Sequence, residues 1–284
     1  MTLMTNKKPP TRMWAILLWV SLILGMIWLA TPRPASSQSM EDASGDDVVF
    51  GEPVLVEMSE PVGRSGTNPF ELYPNGLEFD VYRKGSRVGT HKVTFEEDDN
   101  AWVVTSTFKL RVKVLFVTAY KFDFESTGVW RDGILQSLVA ETNDNGKESS
   151  VDAYLSEDGK FYATGRKGPF VTNNWVYPTT HWNVGAVESD VVLNTLNGQL
   201  AKVEVLRKGI ELVETKGGGA VDAERFEYTG ELRDTIVWYD SDGRWVRMKF
   251  TTKQGETLDY VCRECGFPGV SEQISDASPL EEKQ

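Results

Sequence analysis

Residues 236–250 read IVWYDSDGRWVRMKF. Two apolar runs flank Ser241-Asp242-Gly243. In the second, Val246, Met248 and Phe250 alternate with Arg247 and Lys249, the period of two of a strand with one buried face. Asp-Gly between such runs marks a tight turn, because glycine takes positive φ cheaply and Asp caps its own backbone. The stretch therefore predicts a β-hairpin.

The same grammar recurs upstream. Residues 77–82 and 88–95 flank Lys84-Gly85. Trp130-Arg131-Asp132-Gly133 separates two further runs, and Ser156-Glu157-Asp158-Gly159 lies between residues 151–155 and Phe161-Tyr162. Tyr120, Phe122 and Phe124 alternate with Lys121, Asp123 and Glu125. Residues 101–110 read as a strand that RVKVLFVTA, at 111–119, either continues or bends. No strongly periodic helix separates two strands, as parallel βαβ units require; short helices are expected near 189–195 and 220–226. The expected fold is mainly β: a curved antiparallel sheet, half-barrel or barrel-like, preceded by one N-terminal apolar helix.

That helix is read from residues 13–30, MWAILLWVSLILGMIWLA, eighteen positions without a charge, preceded by Lys7, Lys8 and Arg12. The stretch is either a membrane anchor or the core of a signal peptide. Its length and Trp14, Trp19 and Trp28 favour an anchor, while Ala35 and Ser37 offer small residues for cleavage. The basic flank keeps the N-terminus cytoplasmic and sends the rest across. The organisation that follows is a basic cytoplasmic stub at 1–12, the apolar segment at 13–30 and a Pro/Gly/acidic linker at 31–69, with a short strand near 53–58. A single antiparallel β domain spans 70–267 and a polar acidic tail 268–284. The main domain is expected in the bacterial periplasm, tethered to the inner membrane or soluble after signal cleavage.

Formal net charge is −12, and residues 1–30 contribute +3, leaving −15 for the rest. Such a surface repels phosphate backbones, so nucleic acid is not an expected partner.

Three stretches carry a family resemblance. FDVYRKGSRVGTHKVTF (79–95) resembles the opening signature of a bacterial envelope protein family of unknown function. GPFVTNNWVYPTTHWNVG (168–185) is similar to that family's central Pro-Thr-x-His-Trp-Asn segment, and IVWYDSDGRWVRMKF to its last hairpin. The last hairpin also resembles those of periplasmic lipoprotein carriers. The carrier likeness implies a curved antiparallel sheet holding acyl chains on its concave face.

Cys262-Arg263-Glu264-Cys265 is the most conspicuous local motif. A disulfide suits an oxidising compartment and the presence of only two cysteines. A redox-active pair normally opens a helix, whereas here a strand-like run precedes it and Gly266 and Pro268 follow. Zinc needs four ligands, which His91 and His181 would have to complete. The second candidate is a ligand-binding wall made of Trp175, Tyr177 and Trp182, with His181 and Asn183 as polar handles. Its alternative is a loop packed across the sheet, with His181 and Asn183 satisfying backbone groups. His91 reads as a half-exposed strand residue, and residues 114–117 as buried strand in preference to a membrane-facing lip. Gly217-Gly218-Gly219 lacks the Lys-Ser/Thr of a phosphate loop.

The leading functional expectation is non-enzymatic binding or transport of an apolar or lipid-like ligand in the cell envelope, with no cofactor. One alternative is an envelope structural or assembly factor that binds another protein. The other is an enzyme or thiol redox protein using Cys262/Cys265 or His181. The first predicts an aromatic-lined cavity; the second predicts a packed interior and an open edge strand.

Overall fold

A computed structural model describes residues 52–58, 68–114, 117–216, 219–252 and 255–267. All belong to one compact unit. The apolar stretch at 13–30 and most of the expected linker and tail lie outside them. Among the described residues no helix is long and apolar enough to cross a membrane.

Seventeen strands form among the described residues. The short β1 (Val54–Val56) and a four-residue helix, α1 (Pro69–Leu72), precede a long meander. It runs through β2 (Leu77–Arg83), β3 (Ser86–Asp98), β4 (Ala101–Val114), β5 (Val117–Arg131), β6 (Ile134–Asp144), β7 (Lys147–Leu155), β8 (Phe161–Gly165) and β9 (Gly168–Thr172). A smaller group follows: β10 (Tyr177–Pro178), a 3₁₀ turn at Val184–Val187, β11 (Val191–Asn194) and β12 (Gln199–Lys202). The chain then returns through β13 (Val205–Glu214), β14 (Ala220–Tyr228), β15 (Thr235–Asp240), β16 (Trp245–Thr251) and β17 (Thr257–Glu264). Two-residue turns make the tightest corners: the expected Lys84-Gly85 and Asp132-Gly133, and also Asn145-Gly146, have positive φ at both positions, which matches the twist of the flanking strands.

The large sheet has fourteen strands in the order β1-β9-β8-β7-β6-β5-β4-β3-β2-β17-β16-β15-β14-β13. The last strand, β17, inserts beside β2 (Tyr260 opposite Val81, Cys262 opposite Phe79), so both ends of the meander meet in mid-sheet. The expected half-barrel or barrel is overturned. The sheet is open, with β1 and β13 as separate edges, and it is neither closed nor strongly curled. It is also mixed, because β1 pairs with β9 in parallel, as β10 does with β11 in the three-stranded sheet β10-β11-β12. The physical reason lies in what covers the apolar face. Phe79, Phe108, Phe124, Trp130 and Leu138 from the large sheet share one core cluster with Tyr177, Trp182, Val192 and Leu193 from the small sheet and its loops. A second layer buries that face, so closure is not needed to remove it from water.

Four local expectations are corrected. Residues 191–194 and 220–228 are strands, because pairing on both sides of β14 overrides the helical propensity of Ala220-Val221-Asp222-Ala223-Glu224-Arg225. His91 is buried, 7% exposed, since it lies on the core face with Val93 and beside Phe108. Val117 is 70% exposed: β4 and β5 outrun β3, whose pairing ends at Gly89–Leu110, and nothing described flanks the hairpin's far end.

Candidate functional site

The segment at 175–183 lies against the large sheet as a second layer. Trp182 packs edge-on against Trp130 (5.2 Å between ring centroids) and against Phe95 (5.4 Å), while Trp175 packs against Tyr177 (4.6 Å) and Trp130 (6.0 Å). Such edge-to-face contacts suit the ring quadrupoles. The structure thus brings all five sequence-chosen residues, Trp175, Tyr177, His181, Trp182 and Asn183, onto one segment facing one core. Tyr177, His181, Trp182 and Asn183 are buried, and Trp175 is half-buried.

Two tyrosines clamp the backbone. The Tyr239 hydroxyl donates to the His181 carbonyl (2.8 Å) and the Tyr73 hydroxyl to the Trp182 carbonyl (2.9 Å), while Tyr73 accepts from the Trp245 N–H (2.9 Å). This holds His181 in the left-handed region, φ +58°, a conformation that non-glycine residues adopt only when the surroundings over-determine it. Asn183 caps the 3₁₀ turn, its side-chain oxygen accepting from the Gly185 N–H at 2.9 Å. Gly185 is required here, because a Cβ would lie 2.4 Å from the Tyr177 ring.

Both histidines of the chain converge on Trp245, His91 at 5.4 Å and His181 at 5.7 Å between centroids. No local pattern announces this: the β2–β17 pairing brings His91 near Trp245, and the overlying segment brings His181. His91 Nε2 lies 2.7 Å from the Ser106 hydroxyl. The Nδ1 atoms of both histidines and the Tyr228 hydroxyl are buried without a hydrogen-bond partner, and Tyr228 packs edge-on against His181. Burial holds both imidazoles neutral, lowering His91 to about 3, with the neighbouring His181 adding to the effect, and His181 to about 4. The His91–Ser106 pair has the first contact of a nucleophile–base couple, but no carboxylate orients His91 Nδ1, and both side chains are sealed from solvent.

Cys262 and Cys265 form a disulfide, both residues 1% exposed. It settles the end of β17 just past a bulge at Cys262/Glu264. Burial of both residues denies an attacking thiolate the access that exchange requires. Among the described residues no group of three or more His, Cys, Asp or Glu could hold a metal. The bridge closes a four-residue loop, for which the chain-entropy relation gives about 2 kcal/mol. The Cys262→Ser/Cys265→Ser variant is expected to lose about 2 kcal/mol of unfolding free energy, read from urea unfolding as the midpoint shift multiplied by the slope.

On the outer face, an open groove is walled by Lys109, Asp123, Glu125, Glu141, Asn143 and Glu148. Its charge is wrong for an acyl chain. Within β2, Asp80 is buried and accepts from Arg263 (2.7 Å) and Arg87. Its pKa is lowered because these two guanidiniums outweigh the opposing cost of burial.

A family model for a domain of unknown function, DUF6134, matches residues 79–263. The chain belongs to the DUF6134 family. The matched span begins in β2 and ends in β17, strands that lie side by side with Phe79 opposite Cys262, so the DUF6134 domain takes in the whole meander. A search of the curated proteins found no match. Among solved structures, the chain is similar to one described as a beta-barrel-like protein of DUF1849 from Brucella abortus. The two share 14% identity over 69% of this chain and 98% of that one, with a TM-score of 0.48.

Proposed function

We propose that this DUF6134 protein is a non-enzymatic envelope factor that binds another protein by strand addition at the β13 edge. The observation that carries this reading is β13 itself: ten residues at the end of an open sheet, with Ile210 74% and Leu212 70% exposed. Among the described residues no element other than β14 pairs with it. A long edge strand bearing apolar side chains is a template for another strand. The carrier reading is less well supported, because the expected aromatic wall is packed into the core and only Trp175 keeps appreciable exposure among its five residues. An extracytoplasmic location is supported by the disulfide and by the uncharged stretch at 13–30.

A photo-crosslinking residue placed at Ile210 of the full chain in intact envelopes tests the proposal. A discrete protein adduct is expected there and none at Tyr154, an exposed aromatic in the middle of the sheet. Absence of a protein adduct at Ile210, together with lipid captured by the same probe at Trp175, would overturn it in favour of the carrier.

A further inference from the structure

We infer that the outlying end of the β4–β5 hairpin docks on a lipid surface bearing anionic headgroups, a contact separate from the β13 edge. The two strands run on past both of their neighbours. Pairing of β3 with β4 stops at Gly89–Leu110, and pairing of β5 with β6 starts at Phe122–Asp144. Beyond those points, among the described residues, the strands pair only with each other: Arg111 with Lys121, Val112 with Tyr120, Lys113 with Thr118 and Val114 with Val117. Val117, Thr118 and Ala119 are exposed, Val117 by 70%. Nothing described in the fold covers an apolar side chain at the last pair of such a hairpin.

The charge of this end identifies its partner. Residues 109–121 read KLRVKVLFVTAYK, four cations and no carboxylate, in a chain with 42 acidic and 30 basic residues. Arg111 and Lys121 stand directly opposite each other, and like charges so placed destabilise a sheet. They share a single carboxylate, Asp123, at 2.5 Å and 2.9 Å, so one positive charge of the pair is left over. The nearby Asp144 accepts from the Tyr120 hydroxyl at 2.6 Å. Lys113 is exposed and forms no ion pair with a described residue. In about 0.1 M salt, charges are screened over roughly 10 Å. Headgroups at this end therefore respond to its own cations before the net −12 of the whole chain. Residues 114–120 carry no charge, so the cations form a collar behind an uncharged end. Anionic bilayers bind that arrangement, apolar groups entering the interface while Lys and Arg meet the phosphates.

The test places an environment-sensitive fluorophore on Val117→Cys of the full chain, whose native cysteines are tied in a buried disulfide. The labelled chain is reconstituted in vesicles of phosphatidylcholine, alone or mixed with phosphatidylglycerol. Emission should shift to the blue only in the mixed vesicles, and the shift should vanish when salt is raised to about 1 M, where screening acts over roughly 3 Å. The same probe on Tyr154→Cys, an exposed site in the middle of the sheet, should keep its emission in water. Lys113→Glu should weaken partition of the Val117 probe into lipid at least about tenfold, because one unit of charge near an anionic surface is worth about fivefold and the variant changes two. Lys113→Arg, which keeps the charge, should behave as the native chain. Equal emission in the two kinds of vesicle, or a Lys113→Glu variant that partitions as the native chain does, would overturn the inference. A blue shift in whole envelopes that protein-free mixed vesicles do not reproduce would also overturn it, in favour of a protein at the hairpin end.

Discussion

Acidification from pH 6.5 to 4.5 is expected to remove about 5 kcal/mol of folding stability, close to the whole stability of many domains. The sign follows from proton counts. An unfolded histidine titrates near 6.5, whereas His91 and His181 are held at about 3 and about 4 in the fold. Between those values the unfolded chain binds two protons that the folded chain refuses. Stability is therefore full above pH 6.5 and falls by about 1.4 kcal/mol per pH unit for each histidine as pH drops towards the folded values. The groups around the imidazoles give a proton nothing to gain. His91 meets Phe79, Phe108, Trp245, Tyr260 and the Ser106 hydroxyl; His181 meets Tyr228 and Trp245. No carboxylate is hydrogen-bonded to either. Carboxylates with lowered pKa, such as Asp80 and Asp123, act in a lower window, because their stabilisation is lost only below about pH 4. Urea unfolding at pH 7, 6, 5 and 4.5 checks the effect. The native chain should show a steep slope over this range, and a His91→Gln/His181→Asn variant a nearly flat one. Asn is chosen at 181 because it tolerates positive φ. A flat profile in the native chain would mean that the imidazoles take up protons in the folded state.

Much of the sheet was legible, because its signals are local. Lys84-Gly85, Asp132-Gly133 and Asp242-Gly243 mark corners whether or not the rest of the chain is known, and the alternation at Tyr120–Phe124 reports one buried face wherever that face points. The disulfide also was legible, because the chain has only two cysteines and the stretch at 13–30 implies an oxidising compartment. The topology was not legible for the opposite reason. Binary patterning says that one face is covered but not by what. Phe79, Phe108 and Trp130 show the same pattern whether they line a barrel or lie beneath Trp182. Segment 175–183 was picked out by its density of aromatics with polar tips, and that composition serves a packed second layer as well as a ligand wall. The strand at 220–228 was obscured because Ala, Glu and Arg favour helix locally, while β13 and β15 claim its backbone on both sides. His91 was misread because nothing within a strand announces that β17 will lie beside β2 and bring Tyr260 against it.

Replacing Trp245 by Ala is expected to cost about 3–5 kcal/mol, the range for deleting a fully buried aromatic that leaves a void. Trp245 is 0% exposed and packs 4.3 Å from Phe79 between centroids. Its indole N–H donates to the Arg247 carbonyl (3.1 Å) and its backbone N–H to the Tyr73 hydroxyl. The side chain therefore joins β2, β16 and the overlying His181 turn. Trp175→Ala, at a half-buried site on the same layer, should cost clearly less. A second consequence distinguishes this loss from ordinary cavity formation. Trp245 stands between the two histidines and helps to dry both, so its removal opens a path for water to the imidazoles. Their folded pKa values should then rise towards 6.5, and the stability lost on acidification should shrink. The two effects are coupled, and the size of the coupling is measurable. In Trp245→Ala the slope of stability against pH between 6.5 and 4.5 is expected to fall to less than half its native value, even though the variant starts from lower stability at pH 7. An unchanged slope would show that the strands themselves, rather than the indole, keep water from His91 and His181.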